Sequence, residues 1–142
     1  MREILFRGKN IKGGQWIYGS YVQELNAIRT TCESTIAPMW RVREGTVGQL
    51  AGITDKHGRR IFEGDIVKQL FYDEDFVRDE TRDCIYRIEF NKGSFCLAYD
   101  INNHTSYLSI TDHACYADGV LFAHYEYEVI GNIYDDLELL KE

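Results

Sequence analysis

The sequence predicts a mainly β protein, a barrel or roll of short antiparallel strands with a short C-terminal helix. Three observations predict it. Polar and apolar residues alternate at period two in several segments, most regularly in Cys84–Phe90, where Ile85, Arg87 and Glu89 face one way and Tyr86, Ile88 and Phe90 the other. Glycine turns punctuate the chain, with 12 glycines against a single proline, Pro38. Hydrophobic residues make up 44% and aromatics 13% of 142 residues, enough for a real core and too much for disorder.

The elements follow in order. Glu3–Arg7 and Gln15–Val22 read as a hairpin across the turn Lys12–Gly14. Residues 26–43 hold β-branched side chains without a clean period and read as a strand or two with loops. Thr46–Ile53 is a strand with a glycine on each side of its apolar piece, the mark of a bulge or bend. Asp55-Lys56-His57-Gly58 suits a type I turn in which Gly58 accepts positive φ. Arg60–Phe62 continues extended, Glu63-Gly64 turns, and Asp65–Phe71 is a strand. The one charge run, Tyr72–Asp83, reads as an exposed, mobile loop. Asn91-Lys92-Gly93 joins Cys84–Phe90 to Ser94–Tyr99 as a tight hairpin, and Ile101–His104 turns into Ser106–Ile110. Asp112–Gly119 carries the cap and stop of one or two helical turns. His124–Tyr134 alternates as a strand, and Asp135–Glu142 closes as a helix with acids in its first turn.

The length fits one domain over 1–142, with 1–45 as an N-terminal hairpin region and 46–142 as the barrel. No apolar run approaches the roughly 20 residues a membrane-spanning helix needs, and the first residues lack a signal-peptide core. A cytoplasmic protein without a membrane partner is expected. The four cysteines, Cys32, Cys84, Cys96 and Cys115, are widely spaced and read as small buried hydrophobes. The net charge is −7, unevenly placed: residues 1–60 hold ten bases and five acids, +5, so the remainder carries −12. An acidic whole repels a phosphate backbone, although a local basic face can still bind one.

The stretch Gly52–Lys68, GITDKHGRRIFEGDIVK, is the first candidate site. It lacks the Lys-Ser/Thr and helix N-terminus of a phosphate loop, and its glycines sit between strands, so it reads as turns, with Asp55 and Asp65 bonding backbone amides. Lys56, His57, Arg59 and Arg60 at its tip remain able to touch a partner. His104, His113, Cys115 and His124, with Cys96 near, are the metal candidates, but they lack the tight paired spacing of zinc sites. No nucleophile elbow appears, and no catalytic residue, cofactor or metal is expected. Trp16, Tyr18 and Tyr21 near Arg7, Lys9 and Lys12, and Trp40 flanked by Arg41 and Arg43, could stack single-stranded bases, or form core or subunit interface. The acidic run reads as a solvated loop or as a lure for a basic protein.

Thr46–Lys68 and Tyr127–Leu140 together, with Arg2–Lys9 and Gly13–Gly19, resemble the YopX family of phage and prophage proteins. Leu50 stands where the family pattern has an aromatic residue, and Phe71–Asp83 matches nothing in it. The resemblance implies a β-dominated fold with an SH3-like barrel, to which Glu63–Lys68 and the hairpin after it also conform, a phage or prophage origin, and a homo-oligomer. It implies no activity. Its signature positions are Gly48, Gly52, Asp55, Gly58, Glu63, Gly64, Asp65, Gly131 and Asn132. The expectation is a non-enzymatic accessory protein that binds a phage or host protein. The alternative is a nucleic-acid-binding module that uses the basic N-terminal third.

Overall fold

The computed structural model describes residues 4–30, 38–73, 75–110, 114–117 and 120–140; the side chains of residues 82, 109, 114–117 and 120–125 lie outside that description. The protein is mainly β, and the strand pairs whose register is described are antiparallel. The chain divides into two compact units, Met1–Ile53 and Thr54–Glu142. Thr46–Ile53 therefore belongs with the residues before it.

In the first unit β1 (Phe6–Lys9), β2 (Trp16–Val22), β3 (Ala27–Thr30), β4 (Met39–Arg41) and β5 (Gly48–Thr54) lie in the order β4-β3-β2-β1-β5. The hairpin expected between the first two segments is present, with Phe6 opposite Gly19 and Lys9 opposite Trp16. Residues directly opposite one another share a face. One face thus carries Phe6, Gly8, Tyr21, Ile28 and Trp40. Gly8 is required there, since a Cβ would meet Val42 Cγ1 at 2.9 Å and Ile28 Cδ1 at 3.2 Å. Ala27, Ile28, Val42 and Leu50 are buried.

The second unit begins with the turn Asp55–Gly58 and β6 (Arg60–Phe62), then builds a sheet from β7 (Asp65–Tyr72), β8 (Arg78–Asn91), β9 (Ser94–Ile101), β10 (His104–Ser109), β11 (Ala114–Ala117) and β12 (Val120–Asn132), in the order β10-β9-β8-β7-β12-β11. Strands β7 to β10 are a meander, and β12 returns to the free side of β7. The two-residue turn Lys92-Gly93 has φ 50° and 83°, and Asn102-Asn103 has φ 52° and 64°. Positive φ at both positions matches the strand twist of tight hairpins; Gly93, Asn102 and Asn103 are residues that favour it, and Lys92 adopts it beside Gly93. Ile61, Ile66, Val67, Ile88, Leu97 and Tyr127 form the buried centre.

Three expectations are corrected. Tyr72–Asp83 is not a loop: β8 starts at Arg78, opposite Tyr72, and the chain reverses over Asp73–Val77 alone. Pairing with β7 and the Arg78–Asp83 bond, 2.6 Å, bring this charged segment into the sheet. Ala114–Ala117, inside the segment expected to be helical, is a strand, because its ladder with β12 outweighs a local capping signal. The C-terminal segment forms one 3-10 turn, Leu137–Leu140. Asp136 folds its carboxylate back onto the Asn132 amide, 3.1 Å, and so short a helix has little stability of its own.

Candidate functional site

The signature residues come first, because Asp55, Asp65 and Asn132 carry the polar groups a site would use. Asp55 is buried, and its oxygens accept from the backbone. Oδ1 takes His57 N and Arg59 N, both 2.9 Å, and Oδ2 takes Val129 N on β12, 3.1 Å. Burial opposes its charge, but the three amides, Val129 foremost, outweigh burial and hold the carboxyl below its ordinary value. The Lys56 amide reaches Tyr127 O, 2.8 Å, so the whole turn is clipped to β12.

A second clip forms around Gly64. Its amide donates to Ile88 O, 2.8 Å, and its carbonyl accepts from Ile133 N, 2.9 Å. Gly64 has φ +92°, and a Cβ would meet Tyr134 Cε2 at 3.0 Å. Buried Asp65 accepts from Phe62 N, 2.8 Å. Asn132 Oδ1 accepts from Tyr134 N and Asp135 N, 3.0 and 2.9 Å, and closes the turn after β12. At Gly131 a Cβ would lie 2.7 Å from Asp136 Oδ2. Gly58 and Gly52 have φ +79° and +88°, Gly48 is buried opposite Arg7, and Glu63 is half-buried. These positions shape backbone; none of the bonds described here holds a reacting group.

The residues named as partner contacts fall into separate places. Trp16 is half-buried under cations, with the Arg7 guanidinium 4.2 Å and Lys9 Nζ 5.2 Å from its ring. Arg7 and Lys9 are themselves buried, while Trp16 keeps part of its surface exposed. On the same face of the sheet the register sets Tyr18, Arg29, Met39 and Arg41, all exposed. Trp40, 44% exposed, lies on the opposite face from Arg41, and Arg43 is exposed beyond β4. Lys56, Arg59 and Arg60 are exposed, and Lys56 pairs with Glu128 at 3.5 Å.

Among the metal candidates, His104 is on β10 while Cys115 and His124 are on β11 and β12, with β10 and β11 at opposite edges of the sheet. His113 lies outside the described residues. Among the described residues no three His, Cys, Asp or Glu groups are placed to hold a metal ion. A shallow groove of about 320 Å³ is lined by Ile85, Arg87, Ala98, Tyr99, Asp100, Leu139 and Leu140. Its Arg87 forks onto Asp100 with bonds of 2.9 and 3.0 Å and also bonds Glu89. Arg87 foremost, then Thr105, holds the Asp100 carboxyl below its usual value.

One surface stands out that the sequence reading left without structure, the β7–β8 tip. Asp73 Oδ1 accepts from Asp75 N and Val77 N, both 2.9 Å; Asp73 N donates to Val77 O and Phe76 N to Asp73 O, both 2.9 Å. The Asp55 turn repeats this pattern bond for bond, Asp55 N to Arg59 O, 2.8 Å, and Gly58 N to Asp55 O, 3.0 Å. Where that turn has Gly58, this one has Phe76, at φ 61° and 67% exposed, followed by Val77, 59% exposed. Asp73 and Asp75 in the same turn, and Glu80 on β8, are also exposed. An aromatic residue at positive φ is strained, and nothing in the sequence marks Phe76 as replacing a glycine.

The chain is thus a mainly β, antiparallel protein whose motif residues are turn and clip residues. It belongs to the YopX protein family, whose model matches residues 5–141. No functionally curated protein matches it. The crystal structure of protein EF1440 from Enterococcus faecalis is similar, with a TM-score of 0.50 and 21% identity, over 99% of this chain and 100% of that one. That likeness concerns the fold alone. Among the described residues no helix is long and apolar enough to cross a membrane.

Proposed function

We propose that this protein is a non-enzymatic accessory protein of phage or prophage, acting in the bacterial cytoplasm as an oligomeric, protein-binding module. YopX membership supports the biological setting. The meander β7–β10, joined on its free side by β12, supports an SH3-like reading of the second unit. The observation that carries the binding function is the β7–β8 tip. Phe76 and Val77 are 67% and 59% exposed in a turn that also carries Asp73 and Asp75, and Phe76 takes a positive φ that Gly58 takes without strain in the equivalent turn. The unit behind the tip holds nine bases and 19 acids from Thr54 to Glu142, a net −10. Such a tip fits a basic protein surface with an apolar recess. Nuclease-resistant co-purification from the host tests this. A stoichiometric protein partner lost on Phe76→Ala and on Asp75→Lys is expected; capture unchanged by both substitutions refutes it.

The second reading is nucleic-acid binding, favoured by one observation: Tyr18, Arg29 and Arg41 share a sheet face in the unit that carries a net +3, seven bases against four acids. It requires salt-sensitive binding of single-stranded DNA or RNA that weakens in Arg29→Glu/Arg41→Glu. No binding at low salt excludes it.

A further inference from the structure

We propose that β10 is the edge through which two copies of this chain join, strand to strand, about a two-fold axis at Tyr107. The proposal deepens the oligomeric part of the reading above by naming its surface. The inference begins with which backbone groups β10 leaves outward. The tight turn Asn102-Asn103 makes Ile101 and His104 a hydrogen-bonded pair. Such pairs alternate along an antiparallel ladder, so Ser106 with Tyr99 and Leu108 with Leu97 also bond inward. Thr105, Tyr107 and Ser109 then direct their N–H and C=O groups away from β9. Among the described residues no strand lies beyond β10, and no bond to these outward groups is present.

An exposed edge of this kind pairs with other strands unless something guards it, usually lysine, proline, a bulge or an inward charge. The strand His104-Thr105-Ser106-Tyr107-Leu108-Ser109 has no Lys, Arg, Asp, Glu or Pro and no register shift. That matters in a unit of net −10, because two acidic copies meet most readily where neither presents charge. The segment is also self-complementary. With the axis at Tyr107, each Tyr107 faces its counterpart, and Thr105 faces Ser109 on both sides. All are hydrogen-bonded pairs, giving about six new ladder bonds. Tyr107 and Leu108, each 41% exposed, project on opposite faces of the strand, so both faces of the joint gain apolar contact. The two sheets become one continuous sheet.

The geometry supplies selective variants. The Tyr107 N–H points outward, so Tyr107→Pro removes a donor from the joint while leaving the β9 ladder whole, the edge setting in which strands tolerate proline. Tyr107→Lys places like charges across the axis. Tyr107→Cys sets two sulfurs in a hydrogen-bonded pair with Cα atoms about 5.5 Å apart, inside the range a disulfide spans. The experiment is sedimentation of the full chain across a concentration series, with thermal unfolding as the fold control, and oxidative cross-linking of Tyr107→Cys beside the parent sequence. The expected result is self-association of the parent chain, halved mass in Tyr107→Pro and Tyr107→Lys at unchanged melting temperature, and a covalent pair in Tyr107→Cys that the parent lacks. Association that persists in the Pro and Lys variants, or no covalent pair in the Cys variant, overturns the β10 joint and leaves the oligomeric reading standing. A parent chain that stays monomeric throughout overturns both.

Discussion

Substituting Phe76 separates what the fold needs at the β7–β8 tip from what the surface needs. The informative comparison is Phe76→Gly against Phe76→Ala, because both remove the same ring and differ only in backbone freedom. At an ordinary position glycine is the less stable of the two by about 0.5–1 kcal/mol, through the extra entropy of its unfolded chain. At φ 61° the order reverses, since a side chain there costs about 1–2 kcal/mol that glycine does not incur. The difference leaves Phe76→Gly more stable than Phe76→Ala by about 1 kcal/mol, or about 4 °C in melting temperature for a chain of this size. The ring itself is 67% exposed, so its loss contributes little. Urea and thermal unfolding of the two variants, followed by circular dichroism, measure the sign directly. An alanine variant equal to or more stable than the glycine variant would show that residue 76 is not held in the left-handed region, and the equivalence to the Asp55 turn would fall. Partner capture is expected to fail in both variants, whichever is more stable.

Four further outcomes follow from the geometry. Asp55→Ala leaves three backbone amides without their carboxylate and is expected to destabilise the second unit by about 3 kcal/mol in urea unfolding. Because the folded carboxyl lies below its unfolded value of 3.8, Asp55 contributes stability above that pH and loses it as pH falls through the folded value; an Asp55→Asn chain should lack that component of the acid transition. Gly131→Ala forces a Cβ to within 2.8 Å of Asp136 Cβ, and a loss of about 1–3 kcal/mol is expected, relieved in part by Asp136→Gly, which removes the opposing atom. Gly19→Ala would set a Cβ 2.0 Å from Arg29 O, a backbone atom that cannot swing aside, and should unfold the first unit by far-ultraviolet circular dichroism.

The strands were legible where the physics is local. The hairpin at Asn91–Gly93 shows in its turn dipeptide and in the alternation before it, and the Asp55–Gly58 turn shows in an Asp followed by a Gly three residues on. The β7–β8 hairpin was missed for a related reason. Its turn has the same bonds, but phenylalanine occupies the position where glycine announces the conformation, and five carboxylates between residues 73 and 80 read as a solvated run. The role of Asp55 was half legible. Its bonds to His57 and Arg59 follow from sequence spacing, whereas the bond to Val129 spans 74 residues and depends on the return of β12 beside β7. The faces of the first sheet were not legible either. Trp40 and Arg41 are neighbours in sequence and were grouped together, yet strand alternation sends them to opposite sides.

The recognisable part of this sequence and the surface proposed to bind a partner are therefore different residues. Asp55, Gly64, Asp65, Gly131 and Asn132 fix how β6, β7 and β12 close on one another in this chain. They can identify the fold while remaining silent on function. The β7–β8 tip is outside those positions, and its Phe76 takes a positive φ that departs from local preference. A residue that lowers stability where glycine is available, and that leaves its ring 67% exposed, is what the proposed partner contact would account for. The same logic applies to β10, an unguarded edge that a solitary acidic chain would be expected to protect. The two proposed contacts, one with a basic partner and the other with a second copy, lie on different hairpins, so they can be removed one at a time.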